Sequence, residues 1–203
     1  MSDDNMDSEP ATPLKRACGL IVDFDFALID GVAALDKACV KALGAGGAKT
    51  DATTFPRRLF GQRIHAVLHA LLPGEGKAEA AAAAIAADMD QAAAKAPVNE
   101  TVLAICKRAL DENVHLAFVT MRTPGVVEAR IAALGLDGAV VIKSERCERF
   151  GEHPADVWSR SARTLKLNAR FCTAIVASAA GVRSAIMSGM RTESFVYGHI
   201  GFQ

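Results

Sequence analysis

Strands and helices alternate along the second half of this sequence, and no other feature limits the possible folds as strongly. Short apolar runs of the kind that form buried parallel strands are predicted at residues 20–24, 115–119, 139–142, 173–177 and 194–197. Helical patterns separate the later runs, at residues 100–111, 124–134, 155–165 and 181–187. Because parallel strands need long crossovers, which helices usually supply, we predict an α/β fold with a doubly wound parallel sheet. Ligands of such sheets bind beyond the carboxyl ends of the strands.

A block of helical patterns follows the first predicted strand and contains no convincing strand of its own. Its helices are predicted at residues 32–43, 63–72 and 77–95, and the last of them is rich in alanine. We therefore predict a small all-helical cap domain at residues 32–97. It is inserted into an α/β core domain made of residues 14–31 and 98–203. Residues 1–13, which are polar and acidic, are predicted to form a flexible tail.

Composition argues against several classes of partner. The chain carries 23 basic and 23 acidic side chains, and a chain of zero net charge is not expected to bind nucleic acid. The apolar runs are too short to span a bilayer, so no membrane association is expected. Five cysteines lack CxxC spacing, and residues 1–13 lack the apolar core of a secretory signal. We therefore expect a cytoplasmic protein with reduced thiols, and the identity of any protein partner stays open.

The clearest chemical signal lies in residues 21–30, which read Ile-Val-Asp-Phe-Asp-Phe-Ala-Leu-Ile-Asp. An apolar strand ends here in Asp23 and Asp25, and in an extended chain side chains two residues apart point the same way. Two carboxylates facing one pocket suit phosphoryl transfer, since one can attack phosphorus while the other passes a proton to the leaving oxygen. Mg²⁺ would be needed to offset their charge and that of a phosphate.

Four motifs together resemble the haloacid dehalogenase (HAD) superfamily, in its β-phosphoglucomutase and phosphoglycolate-phosphatase-like branch. They are the Asp23–Asp25 segment, Val119-Thr120, residues 151–158 (Gly-Glu-His-Pro-Ala-Asp-Val-Trp) and residues 175–182 (Ile-Val-Ala-Ser-Ala-Ala-Gly-Val). The resemblance covers about residues 17–198 and implies a HAD-like, Rossmannoid fold with an inserted helical cap.

The same resemblance implies roles for individual residues. Asp23 corresponds to the family nucleophile, Asp25 to the general acid/base, and both to Mg²⁺ ligands. Thr120 corresponds to the hydroxyl that binds phosphate. Residues 57–61, Arg-Arg-Leu-Phe-Gly, look like the end of a cap helix near the substrate, so Gly61 and Arg63 are the predicted substrate-binding residues. The substrate implied is a small phosphorylated metabolite.

Departures from the family pattern affect both the metal side and the phosphate side of this site. Glu152 stands at the position of the family lysine, and Val176 and Ala177 stand at the positions of the acids that complete the Mg²⁺ site. Phe-Ala replaces the Gly-Thr that follows the second aspartate. We therefore expect only weak Mg²⁺ binding. Loss of one charge-stabilising group already costs on the order of a hundredfold to a thousandfold in rate.

Other cationic residues are candidates for compensation. Lys143 follows a predicted strand on the ligand side of the sheet and is a candidate phosphate-binding residue, although a solvated lysine is the commoner outcome there. Arg122 could help bind an anion but is expected to be exposed. His65 and His69, four residues apart on one predicted helix, have a spacing that suits a metal. Without a third ligand we interpret them as ordinary cap histidines.

Two functions stay open, and a third is weaker. The favoured hypothesis is a HAD-like protein of phosphatase ancestry, catalytically impaired, that binds a phosphorylated small molecule or a partner. The alternative is an active Mg²⁺-dependent phosphatase or phosphomutase that works through an aspartyl-phosphate. A dehalogenase is weaker because, by resemblance, that branch lacks the second aspartate found here as Asp25.

Overall fold

Five parallel strands form one sheet in the order β3-β2-β1-β4-β5. The computed structural model describes residues 18–48, 62–145, 149 and 152–194. The strands are β1 (Gly19–Asp23), β2 (His115–Thr120), β3 (Val140–Lys143), β4 (Cys172–Val176) and β5 (Arg191–Ser194). Since β1 lies in the middle, with β2 and β4 on its two sides, its carboxyl end is surrounded by the ends of its neighbours. The predicted doubly wound parallel sheet is confirmed.

Seven helices accompany the sheet in the described part of the chain. They are α1 (Gly31–Ala45), α2 (Ile64–Leu71), α3 (Lys77–Ala93), α4 (Glu100–Asp111), α5 (Pro124–Ala133), α6 (Ala155–Thr164) and α7 (Ala179–Met187). A π-helical turn (Phe24–Leu28) follows β1, and a short 3₁₀ turn (Ala169–Phe171) precedes β4. The Asn99 side chain caps α4 by accepting from the Val102 N–H at 3.3 Å, because a short polar side chain there satisfies a free amide.

The sheet is covered on both faces, so its central strands are apolar on both sides. Val22 and Phe118 belong to the core cluster shared with α4 and α5. Ile21 and Val119 belong to the second cluster, which contains Trp158 of α6. All residues of β1 and β4 are buried, which is why these strands read as continuous apolar runs rather than as alternating patterns.

The predicted element boundaries differ from the structure mainly at the last strand. That strand was expected at residues 194–197 but occupies Arg191–Ser194, and residues 195–203 lie outside the described part. Phe24, expected at the end of β1, begins the π-helical turn instead. The predicted tail at residues 1–13 also lies outside the described residues.

Helices α1, α2 and α3 form the block inserted between β1 and α4. A salt bridge between Lys41 Nζ and Asp88 Oδ1, 2.8 Å long, joins α1 to α3. Leu35, Leu68 and Ile85 are buried and continue the core cluster of the sheet. The boundaries predicted for a separately moving cap, residues 32–97, stay a prediction.

The two connections between this block and the sheet run side by side. Ile29 and Val98 form an antiparallel bridge. The Asp30 N–H donates to the Pro97 carbonyl at 2.9 Å, and the Asn99 N–H donates to the Leu28 carbonyl at 2.8 Å. The block therefore leaves and rejoins the core at one hydrogen-bonded point.

None of the helices within the described ranges has both the length and the apolar character needed to cross a bilayer.

Candidate active site

Asp23 is the last residue of β1, and its side chain is buried at the carboxyl edge of the sheet. The chain turns immediately afterwards, and the Phe26 N–H donates to Asp23 Oδ1 at 3.1 Å. The turn closes with the Ile29 N–H donating to the Phe24 carbonyl at 3.1 Å. An apolar strand followed by a hydrogen-bonded turn thus holds the carboxylate in place.

Asp25 lies inside this turn and not in an extended segment. The expectation that it would align with Asp23 by strand alternation is therefore wrong, because the strand ends two residues earlier. Both of its side-chain oxygens accept hydrogen bonds from residues at the end of β2 or directly after it. Thr120 Oγ1 donates to Oδ1 at 2.7 Å, and the Met121 N–H donates to Oδ2 at 2.7 Å. The structure brings Asp25 and Thr120 together at the carboxyl edge of the sheet. The threonine hydroxyl, expected to bind phosphate, donates its hydrogen bond to the Asp25 carboxylate.

Arg122 is buried, with 7% of its surface exposed, although the sequence favoured an exposed side chain. The chain turns tightly after β2, since the Arg122 N–H donates to Thr120 Oγ1 at 2.9 Å. The Arg122 Nε lies 3.6 Å from Asp25 Oδ1. Its Nη1 donates to the carbonyl of Ala86 on α3 at 3.3 Å. Arg122 thus contacts both the buried carboxylate and the inserted helices.

His153 is a candidate site residue that the sequence did not single out. Its Nε2 lies 3.3 Å from Asp23 Oδ1, and the side chain is fully buried. The ring packs edge-on against Trp158, with 5.9 Å between centroids. The available signal was its position in the third motif, one residue after Glu152. A histidine there offers a cation to the nucleophile position when it is protonated.

The two buried groups shift one another's pKa. Burial raises the pKa of Asp23, and the attraction of His153 offsets this only in part. Burial alone would lower the pKa of His153, but the negative charges of Asp23 and Asp25 and the hydrogen bond to Asp23 outweigh it, so that pKa is raised. A raised pKa favours a protonated imidazole beside Asp23 near neutral pH.

The remaining predicted residues lie away from this pair or outside the described part. Glu152 Oε2 lies 3.9 Å from Arg149 Nε, so its carboxylate is paired with a neighbour. The Lys143 side chain is exposed, although its backbone is level with Thr120. Arg63 is also exposed, at the start of α2. Gly61 lies outside the described residues.

The donor set does not fit Mg²⁺. β4 neighbours β1, and its end supplies Val176 and Ala177, whose buried side chains carry no oxygen. Both oxygens of Asp25 are already hydrogen-bonded within the protein. Its carbonyl is packed against Gly31, where a Cβ atom would lie only 1.9 Å from the oxygen. Mg²⁺ needs near-octahedral oxygen coordination, and in the described chain Asp23 alone offers it a carboxylate at this edge.

A largely apolar cavity of about 180 Å³ lies between the inserted helices and the sheet edge. Its apolar wall includes Phe26, Leu35, Ile85 and Met89, from the turn, α1 and α3. Arg122 and His65 are the lining side chains that can carry positive charge. The cavity therefore combines an apolar body with polar groups suited to an anion.

Comparison with known proteins identifies the fold. No protein-family model and no curated protein sequence matches this chain. Solved structures do match. A β-phosphoglucomutase from Clostridium difficile is 17% identical with a TM-score of 0.65, over 87% of this chain and 83% of that one. A haloacid dehalogenase-like family hydrolase from Streptococcus pneumoniae is 14% identical with a TM-score of 0.69, over 89% and 85%. The chain has a HAD-like fold.

This HAD-like fold is shared by proteins with different described activities. The protein tyrosine kinase A of Mycobacterium tuberculosis is 20% identical to this chain with a TM-score of 0.69, over 93% of this chain and 89% of that one. At such identities the likeness concerns the fold, and activity must be argued from the site itself.

Proposed function

We propose that this chain is a HAD-fold protein of phosphatase ancestry that binds a small anionic molecule and is impaired in phosphoryl transfer. One observation carries the proposal: both aspartates of the first motif are already paired with cationic groups of the protein itself. His153 lies against Asp23, and Arg122 lies against Asp25. The positions that a substrate phosphate and a metal would use are thus engaged internally.

The charges at this site support impairment. Three carboxylates, those of Asp23, Asp25 and Asp90, lie beside one arginine and one histidine of raised pKa, so the cluster has no excess positive charge even when His153 is protonated. A phosphate dianion that enters this site gains less electrostatic stabilisation than it would beside a bound Mg²⁺. It must also displace buried hydrogen bonds, and leaving a buried acceptor unpaired costs about 1–3 kcal/mol.

The cavity supports binding of a phosphorylated or similar anion that carries an apolar group. Arg122 lines the cavity, and its Nε makes no hydrogen bond among the described residues, since Asp25 Oδ1 lies 3.6 Å away, beyond hydrogen-bond distance. A guanidinium can bind a phosphate or a carboxylate through several donors. The apolar side chains of Leu35 and Ile85 would contact the rest of the ligand.

An active phosphatase is the second candidate, favoured by the position of His153. In that reaction an oxygen of Asp23 bonds to phosphorus, the bond from phosphorus to the leaving oxygen breaks, and Asp25 gives that oxygen a proton. A protonated His153 at 3.3 Å would supply positive charge beside the nucleophile. Asp25 would first have to take up a proton within its present contacts to Thr120 and Arg122.

Phosphatase assays separate the two candidates. We expect no turnover of p-nitrophenyl phosphate or of sugar phosphates above that of the Asp23→Asn variant, with or without millimolar Mg²⁺. Turnover by the wild type that disappears in Asp23→Asn would establish the second candidate. Circular dichroism of both proteins would ensure that a difference does not come from unfolding.

Binding in the cavity is tested with phenyl phosphate, which has an anionic group and an apolar ring. Ala82 lines the cavity, whereas Ala83 is exposed on the same helix. Calorimetry is expected to show binding to the wild type and to Ala83→Leu. Ala82→Leu fills part of the cavity and should weaken binding by on the order of tenfold, the effect of about 1.4 kcal/mol. Equal affinities for all three proteins would refute a ligand in this cavity.

A further inference from the structure

Three metal-ligating side chains from two of the inserted helices converge on the surface. Their ligand atoms, from His65, His69 and Glu79, all lie within 4.8 Å of one another. His69 Nε2 and Glu79 Oε1 are 3.2 Å apart. The two imidazole rings are 6.5 Å apart between centroids and are tilted by 34°. Within the described residues, this is the one group of three or more such side chains that meets this spacing.

Local structure explains the convergence. His65 and His69 are four residues apart on α2, so they share one exposed face. Leu68, on an adjoining part of the helix surface, is buried and packs α2 against the core. A tight turn with Gly76 in the left-handed conformation (φ 73°) then starts α3. Glu79, in the first turn of α3, is thereby carried to the histidines.

We propose that His65, His69 and Glu79 form a binding site for a divalent transition metal, with Zn²⁺ as the preferred ion. Two imidazole nitrogens and one carboxylate oxygen are a common ligand set for Zn²⁺, and water completes four-fold coordination. Mg²⁺ is disfavoured because it selects oxygen ligands. In a tetrahedral site with bonds of about 2.1 Å, neighbouring ligand atoms lie roughly 3.4 Å apart. The distance of 3.2 Å between His69 and Glu79 already suits that arrangement.

The simplest competing explanation is an ordinary surface ion pair between His69 and Glu79. Both side chains are more than half exposed, at 55% and 57%, and such pairs contribute little to stability. A pair alone does not require His65, whose ligand atom faces the same point. The His65 side chain is also exposed, so it can change its rotamer to bring a ring nitrogen to the metal. The site would bridge α2 and α3.

The test uses the full chain in a Cys18→Ser background, because Cys18 is an exposed thiol that could bind Zn²⁺ itself. After EDTA treatment and dialysis, calorimetry with Zn²⁺ is expected to show one saturable site. Co²⁺ should give the visible absorption of a tetrahedral nitrogen and oxygen site. Zn²⁺ should also raise the melting temperature, since it joins two helices.

Matched variants decide the assignment. His65→Asn, His69→Asn and Glu79→Gln should each weaken Zn²⁺ binding by on the order of tenfold or more. His115→Asn removes an exposed histidine outside the cluster and should leave the affinity unchanged. The proposal is overturned by a lack of saturable binding, or by binding that survives in His69→Asn and Glu79→Gln. A loss in those two variants but not in His65→Asn would also overturn the three-ligand site.

Discussion

His153 Nε2 lies 3.3 Å from Asp23 Oδ1, and both side chains are buried at the carboxyl edge of the sheet. This contact pairs Asp23 with a titratable cation. It also makes the charge of the site dependent on pH, since the protonated imidazole stabilises the carboxylate by charge as well as by its hydrogen bond.

The first prediction is that the wild type loses stability as pH rises above about 6.5. The pKa of His153 is raised from 6.5 in the folded protein by the charges of Asp23 and Asp25. Above 6.5 the unfolded chain releases this proton while the folded protein still holds it, so the free energy of unfolding falls as pH rises through the folded pKa. The pKa of Asp23 is also raised in the folded protein, from 3.8. It therefore also makes the free energy of unfolding fall as pH rises above 3.8. Urea unfolding between pH 6 and 9, in EDTA, measures the effect.

Asp23→Asn is the control for this pH dependence. It removes the main charge that holds the His153 proton, so burial, the largest influence, should lower the pKa of His153 although Asp25 remains. The free energy of unfolding of this variant should change less between pH 6 and 9 than that of the wild type. An unaltered pH dependence would show that another group is responsible.

The second prediction concerns Mg²⁺. Val22 is level with Ile175, so β4 ends beside Asp23 and Ala177 is the first residue beyond it. Ala177→Asp adds to Asp23 a second carboxylate that is not hydrogen-bonded through both oxygens, and it should create saturable Mg²⁺ binding in calorimetry at millimolar Mg²⁺, where we expect only weak binding by the wild type. Adding Asp23→Asn should abolish it. Binding that persists without Asp23 would place the ion elsewhere.

Phosphatase activity should also increase when a permanent cation replaces His153, whose charge depends on pH. His153→Lys combined with Ala177→Asp is expected to raise phosphatase activity more than either change alone, because the two cations act on one transition state. Glu152→Lys is the matched comparison. Since the Glu152 carboxylate lies beside Arg149 whereas His153 contacts Asp23, the combination with Glu152→Lys should raise activity less. Higher activity in the Glu152→Lys combination than in the His153→Lys combination would contradict the role given to His153.

The third prediction is that the Arg122 charge stabilises buried Asp25. Arg122→Met leaves that carboxylate without its cation and should cost about 3 kcal/mol in the free energy of unfolding. Arg130→Met removes an arginine that donates to the Ala96 carbonyl at 2.9 Å, and should cost about 1 kcal/mol. A double-mutant cycle with Asp25→Asn should show a coupling between the two residues. Additive effects would mean that Arg122 acts through its other contacts.

The fourth prediction concerns thiol reactivity. Burial raises the pKa of Cys39 and Cys106 to about 12 and that of Cys172 to about 11. These three thiols should resist iodoacetamide in the native protein at pH 8, because the thiolate is the reactive form. Cys18 is exposed and should be labelled. Mass spectrometric mapping checks the sites, and all three buried cysteines should become labelled in denaturant.

The sheet and its helices could be predicted because their signals are local. The run Gly19–Asp23 is buried on both faces and therefore reads as a strand. The helix Glu100–Asp111 follows a capping asparagine and was predicted without error in its bounds. The last strand was placed three residues late, since its four residues are mostly exposed and carry little apolar signal.

The site could be predicted only as far as the strand ends. Asp23, Asp25 and Thr120 follow from where β1 and β2 stop. Arg122 could not be predicted to be buried, because this depends on a turn that brings its guanidinium between Asp25 and Ala86, residues distant in sequence. His153 lies 130 positions from Asp23, so only the folded chain shows their contact.

The bridge between Ile29 and Val98 brings the two connections of the inserted block next to each other. Opposed residues of antiparallel strands lie about 5 Å apart, little more than the 3.8 Å between successive Cα atoms. A shortened chain that joined Asp30 to Pro97 through one or two residues would keep the order and direction of all five strands. Evolution or engineering could therefore exchange the helices above the sheet edge without changing the order of the strands.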